Sequence, residues 1–286
     1  MIDRAKCLSN CYRHSLAECA LRNLPYTDCF CHICRICLLK MIKPKNKTVL
    51  PTGIVAIAQR FWKESHTLPP SAWAKWWKTL AIGLGISALI VYGLTLIAMG
   101  QVDTGLQTWD EKWLLKMRDY SPLSFSKGVT WESPGNLVGM LPVFFTFTAL
   151  TAWFRKPIVA ATVVATYIGQ FALVWISWGT WSRDRPELIA EGIAAPSLHS
   201  FPSGHVVVSV TMYGLLFYLW FRSSRNPIEK AISILFAVVW IGLISLSRLA
   251  LGAHWPSDVL AGWFVGLLWL TTVIMAMNRA LGAAKH

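Results

Sequence analysis

The sequence predicts an all-α fold: a polytopic membrane bundle of six transmembrane helices with both termini in the cytoplasm. Three observations predict it. Apolar residues make up 55% of the 286 and charged residues 14%, where a soluble chain carries about 25% charged residues. After residue 78, apolar runs of the length that crosses a bilayer, about 18 residues or more, recur along the chain. The charge then sorts by loop, with Lys and Arg collecting on one side of the runs.

Residues 1–78 form a leader before the first span. All seven Cys fall in its first 37 positions, at 7, 11, 19, 29, 31, 34 and 37. No apolar stretch there leads to a small-residue cleavage site, so it does not read as a signal peptide. Cys29, Cys31, Cys34, Cys37 and His32 could supply four ligands to zinc, and cysteines beside a membrane can also carry lipid. The plainer reading is a disordered leader, with Met41-Ile-Lys-Pro-Lys-Asn-Lys47 as a more ordinary start. Ile54 to Trp62 has the pattern of a short helix lying on the membrane surface. Ser71 to Lys78 interleaves Trp with Lys, the signature of an interfacial anchor on the cytoplasmic side.

Residues 79–278 hold the six spans, placed near 79–100, 137–154, 157–178, 204–221, 231–248 and 258–277, and 279–286 is a cytoplasmic tail. All six must be helices, because hydrocarbon gives a backbone N–H or C=O no partner outside the chain. The leader, Arg155-Lys156, the loop from Arg222 to Lys230 and the tail are strongly basic. Residues 101–136 and 179–203 carry more acidic than basic residues. The positive-inside rule therefore places the second set outside. Within 101–136, Leu106, Trp109, Trp113, Leu114 and Met117 recur at helical spacing, which predicts an amphipathic surface helix that packs on the bundle or borders a path for lipid. The net charge of +13 does not point to nucleic acid, since the basic residues are spread along topology-setting loops rather than gathered on a folded face.

Ionisable residues are scarce in the body, and three clusters fall on the outer side. The first is Trp181-Ser182-Arg183-Asp184-Arg185-Pro186, after the third span. Guanidinium groups bind phosphate oxygens in pairs, although two Arg at a membrane surface can also be simple anchors. The second is Phe201-Pro202-Ser203-Gly204-His205, at the entrance to the fourth span. A helix start offers unpaired N–H groups and a positive dipole end to an anion; the same residues also make an ordinary helix cap. The third runs from Ser247-Arg248 to His254 and Asp258. With a helix starting near Trp255, His254 and Asp258 stand one turn apart. A carboxylate on one ring nitrogen would fix the tautomer and leave the other nitrogen to attack.

The third cluster fits S-R-x5-H-x3-D and the second fits P-S-G-H. Together they resemble the phosphatidic acid phosphatase type 2 family over about residues 100–260. That family includes bacterial undecaprenyl-pyrophosphate and phosphatidylglycerophosphate phosphatases and shares its site with vanadium haloperoxidases, which the six spans argue against here. The family's first motif, K-x6-R-P, is kept at Arg185-Pro186, but its Lys position holds Trp178.

The resemblance implies an integral membrane enzyme, in a bacterial inner membrane, with its site facing the periplasm or exterior. It would hydrolyse a lipid phosphate or pyrophosphate without metal or cofactor. His254 would be the nucleophile, Asp258 its partner and His205 the acid and then the base. Arg185, Arg248, Ser203 and Gly204 would hold the phosphate, with Arg183 compensating for the missing Lys. His199 reads as a loop residue. Two other readings keep the fold: a phosphotransferase using another lipid as acceptor, and a lipid binder or transporter without catalysis, for which Trp178 is the best support. The sequence points to no oligomeric state.

Overall fold

The structure, a computed structural model, describes residues 53–120, 123–189 and 199–285. The chain divides into two units, Met1–Pro51 and Thr52–His286, and the described residues all belong to the second. The expectations for the Cys-rich leader, its metal ligands and Met41 lie outside the described residues.

Helix α1, Ile54–Thr67, has no buried residue and extends the surface helix expected at 54–62. Helix α2, Pro70–Gln101, is the first span. It begins at 70 rather than 79 because Pro70 is a favourable first helical residue, its ring fixing φ where no N–H is needed. The Trp and Lys anchor is therefore the opening of the span itself. Trp76 turns inward and donates Nε1–H to Thr162 Oγ1 at 3.0 Å, while Trp77 faces out.

A π-type turn over Val102–Leu106 ends α2, and Gly105 within it has φ 134°, open to glycine but not to a side chain. The chain is redirected there into α3, Gln107–Tyr120. This is the expected amphipathic helix: Leu114 is fully buried, while Trp109 and Met117 are exposed. It buries one charged residue as well, Asp110. Helix α4, Phe125–Glu132, and a 3-10 turn at Ser133–Gly135 follow. The sequence did not announce α4, because eight residues are too few for a periodic pattern to emerge.

Five more spans complete the bundle: α5, Leu137–Trp153; α6, Pro157–Thr180; α7, Gly204–Ser223; α8, Pro227–Ala250; and α9, Pro256–Ala283. Asn136 and Asn226 cap α5 and α8 through their side-chain oxygens, accepting from Val138 N at 2.7 Å and Ile228 N at 2.9 Å. Among the described residues, six helical stretches are long and apolar enough to cross a membrane, with α2 running on into α3 and α4 into α5, in the number expected. No strand occurs among the described residues.

Helix α9 is the centre of the bundle, packed against α2, α6 and α7, while α8 packs on α7 and α4. Lipid tails are as apolar as leucine, so helices in a membrane associate through close fit and hydrogen bonds rather than by escaping water. Gly262 permits a close approach of α9 to α7 near the site: a Cβ there would lie 2.9 Å from Val206 Cβ and 3.1 Å from Ser203 O. Trp269 Nε1 donates to Thr166 O at 3.1 Å, and the Thr95 and Ser177 hydroxyls meet at 2.6 Å. Outward positions such as Leu89 and Ile97 remain apolar and exposed, as a lipid-facing surface should. Because the spans alternate in direction, the ends of α2, α6 and α8 share one end of the bundle with the starts of α5, α7 and α9.

Candidate active site

All three clusters converge at that end. Helix α8 closes with Leu251 N donating to Ser247 O and Ala253 N to Arg248 O, both at 3.0 Å. Gly252, at φ 62°, makes the left-handed turn this closure needs. The chain then delivers His254 and re-enters a helix at Pro256. Asp258 caps the new helix, its Oδ2 accepting from Trp255 N at 2.9 Å. Ser203 N donates to Asp258 O at 3.0 Å, which ties the start of α7 to the start of α9.

His254 is 1% exposed, and its two ring nitrogens have different partners. Nε2 lies 3.3 Å from Arg185 Nη1. Guanidinium only donates, so Nε2 must be the accepting nitrogen. Nδ1 therefore carries the proton, and Ser200 O stands 2.9 Å away to receive it. The lone pair of Nε2 is directed toward the arginine side. Burial, reinforced by the charges of Arg248 and Arg185 and opposed by Asp258, lowers the His254 pKa to about 4. The ring is neutral at ordinary pH.

The expected contact between Asp258 and the ring is looser than the spacing suggested. Asp258 Oδ2 is 3.6 Å from Nδ1, beyond hydrogen-bond reach. The carboxylate instead accepts from the Ser200 hydroxyl, whose own carbonyl holds the ring. Asp258 acts on His254 by charge and through Ser200.

Arg183 also departs from expectation. Its Nη1 donates to Asp258 Oδ1 at 2.7 Å and its Nη2 to Asp110 Oδ2 at 2.6 Å. Asp110 also accepts from Ser257 N at 2.8 Å and Ser257 Oγ at 2.6 Å. Both carboxylates are fully buried, and a buried carboxylate without a cation is very costly. Arg183 is their shared counterion and stands behind His254, not among the groups directed at its Nε2.

Arg185 stands beside His254. Nη1 also donates to Ala253 O at 2.8 Å, and Nη2 to His199 O at 3.4 Å. Partial burial lowers its pKa, against the opposing charge of Asp258, without threatening its protonation. Arg248 is 2% exposed and its Nη1 contacts Glu132 Oε2. His205 Nε2 is 3.6 Å from that same oxygen. Ser203 Oγ is buried without a hydrogen-bond partner.

Trp178, at the position where a lysine was expected, stacks on His199 with ring centroids 5.6 Å apart and planes 16° off parallel. Its edge also lies over Gly204, where an added Cβ would meet Trp178 Cζ2 at 3.4 Å. His199 is a loop residue, as expected, and the loop lies beside the site. Sequence reasoning missed Glu132, Asp110, Ser200 and Ser257. Glu132 and Asp110 were legible only as outer-loop charges.

Two apolar clefts of about 420 Å³ each flank the start of α9. Trp109 of α3 borders both; one continues along Trp113, Leu249 and Trp263, the other along Ile97, Phe201 and Phe264.

A helical bundle with paired histidines and arginines at one membrane end defines a class, and residues 159–281 match the model of the PAP2 superfamily. That stretch is similar to the PAP2 superfamily, and it lies among six helical stretches long and apolar enough to cross a membrane. Its relatives include "Putative undecaprenyl-diphosphatase YbjG" of Escherichia coli (strain K12), 30% identical over 137 residues. That match covers 46% of this chain and 62% of the relative, so the chain spans less than two thirds of that relative's length. An undecaprenyl-diphosphatase of Sulfolobus acidocaldarius is 29% identical over 167 residues, covering 54% of this chain and 71% of the relative. The crystal structure of a transmembrane PAP2-type phosphatidylglycerolphosphate phosphatase from Bacillus subtilis superposes with a TM-score of 0.56 at 22% identity. It covers 66% of this chain and 94% of the other, and it shares the fold.

Proposed function

We propose that this protein is a membrane lipid phosphatase that removes phosphate from a lipid phosphate or diphosphate through a phosphohistidine on His254. The observation that carries the reading is the fixed tautomer of His254, with Nδ1 held by Ser200 O and the Nε2 lone pair beside Arg185. The relatives named undecaprenyl-diphosphatase make a polyprenyl diphosphate the first substrate to assay. The apolar clefts beside α9 would take the start of its chain.

In the mechanism, Arg185 and Arg248 receive the phosphate oxygens, with the Ser203 hydroxyl and the Gly204 N–H at the start of α7. Nε2 of His254 attacks phosphorus, and the bond to the leaving oxygen breaks as His205 gives it a proton. The imidazolium that forms is stabilised by Asp258 at 3.6 Å. His205 then takes a proton from water, which attacks the phosphohistidine and releases inorganic phosphate. Two guanidinium groups supply the charge neutralisation, so the reaction needs no metal.

The basic loops support a topology with both termini inside and the site at the outer face, with residues 79–278 as the phosphatase domain. A second reading, a lipid binder without catalysis, draws on Trp178 stacked where a lysine would add charge. Phosphate release from lipid phosphates in detergent, with a chelator present, separates the two. Wild type should release phosphate, and His254→Ala should lower the rate by about a thousandfold or more. Release by neither protein, or equally by both, contradicts the phosphatase reading.

A further inference from the structure

Glu132 is the last residue of α4, far in sequence from every motif, yet it reaches the centre of the site. One carboxylate oxygen contacts Arg248 Nη1 and lies 3.6 Å from His205 Nε2. The segment that carries it is fitted closely at both ends. A Cβ at Gly128 would lie 2.9 Å from Leu251 Cδ2, and one at Gly135 would lie 2.7 Å from Ile244 Cγ2 and 2.8 Å from Ser209 Oγ. The two glycines thus hold α4 and its following turn against the end of α8, which carries Arg248, and the start of α7, which carries His205.

The other two carboxylates near the site, Asp110 and Asp258, are engaged by Arg183. Among the described residues, Glu132 is the only carboxylate in ion-pair contact with Arg248. Arg248 is buried, its Nε and Nη1 make no hydrogen bond, and Glu132 meets Nη1 as a close ion pair. A guanidinium is a rigid plane of five N–H donors. A carboxylate fixed on Nη1 sets the orientation of that plane and leaves other donors for a second anion.

We propose that Glu132 is a positioning residue, holding the Arg248 guanidinium beside the His205 ring in the arrangement that receives a phosphoryl group. The inference rests on the phosphatase reading for the role of Arg248. It assigns Glu132 no contact with substrate. The opposing possibility is that the carboxylate merely occupies Arg248 and competes with phosphate, and the two differ in sign.

The test uses the full-length chain in detergent with orthovanadate, a mimic of phosphate in transfer, as the probe. Glu132→Gln should weaken vanadate binding by about tenfold, the scale of a lost charge-assisted contact. It should lower kcat for a lipid diphosphate by a similar factor, with KM changed by less than about threefold. On an Arg248→Lys background, adding Glu132→Gln should change vanadate affinity by less than about twofold, because the two residues act as a unit. Glu132→Asp, which keeps the charge at shorter reach, should show a smaller loss and serves if the Gln variant does not fold. Tighter or unchanged vanadate binding in both variants overturns the proposal, as does an equal loss on the wild-type and Arg248→Lys backgrounds. A wild type that binds no vanadate overturns the phosphatase reading beneath it, a separate result.

Discussion

At His254, an arginine donor on one nitrogen and a carbonyl acceptor on the other leave a single position for the ring proton. Burial and two nearby arginines make a second proton unwelcome. In the proposed mechanism the neutral ring is the reactive one, so kcat/KM should fall as pH drops through about 4, the value to which the His254 pKa is lowered. A pH profile whose acid limb lies near pH 6.5, the ordinary histidine value, would contradict this environment. Asp258→Asn should lower kcat by about a hundredfold or more while vanadate still binds, because the charge facing the imidazolium is lost and the phosphate-holding arginines are not. A loss of vanadate binding equal to the loss of kcat would contradict that division. His254, Asp258, Arg248 and His205 were legible because each sits at a fixed short spacing within a motif. Ser200, Asp110 and Glu132 were not, because their partners lie 54 or more residues away and only folding joins them.

Among the elements, α3 is the one whose placement the site depends on most. The sequence showed its apolar stripe but not that Asp110 turns inward with it. Asp110 ties α3 to Ser257 and, through Arg183, to Asp258. Asp110→Ala should therefore destabilise the protein by about 3–5 kcal/mol, the usual cost of stranding one partner of a buried ion pair. It should also raise deuterium uptake across Gln107–Tyr120. An unchanged thermal midpoint with unchanged uptake would show that α3 is held by its apolar face alone. The start expected at 137 agrees with the Asn136 cap, whereas the starts expected at 79 and 231 passed over Pro70 and Pro227, which open α2 and α8. The redirection at Gly105 was not legible, because a lone glycine in a polar stretch fixes no direction.

For the whole molecule, hydropathy found all six spans, although α2 starts at Pro70 rather than 79 and α9 runs on to Ala283 rather than 277. It could not say that α9 would be central, since apolar composition alone does not distinguish a lipid-facing helix from a buried one. That choice is made by small residues such as Gly262, whose partners are distant in sequence. The charge pattern predicts the orientation, and this is measurable. A cysteine placed at Lys127 should react with an impermeant maleimide in intact cells, and one at Ser223 should react only after the membrane is opened. The reverse pattern would place the site on the cytoplasmic side and contradict the positive-inside assignment.

The central claim, that His254 Nε2 is the nucleophile, is tested most directly by trapping the intermediate. Lipid diphosphate labelled in its terminal phosphate is mixed with enzyme, quenched in alkali to preserve phosphohistidine, and the labelled peptide is sequenced. The account predicts acid-labile label on Nε2 of His254, absent from His254→Ala. Label on another residue, or on Nδ1, or rapid turnover with no labelled enzyme at any time point, would contradict it.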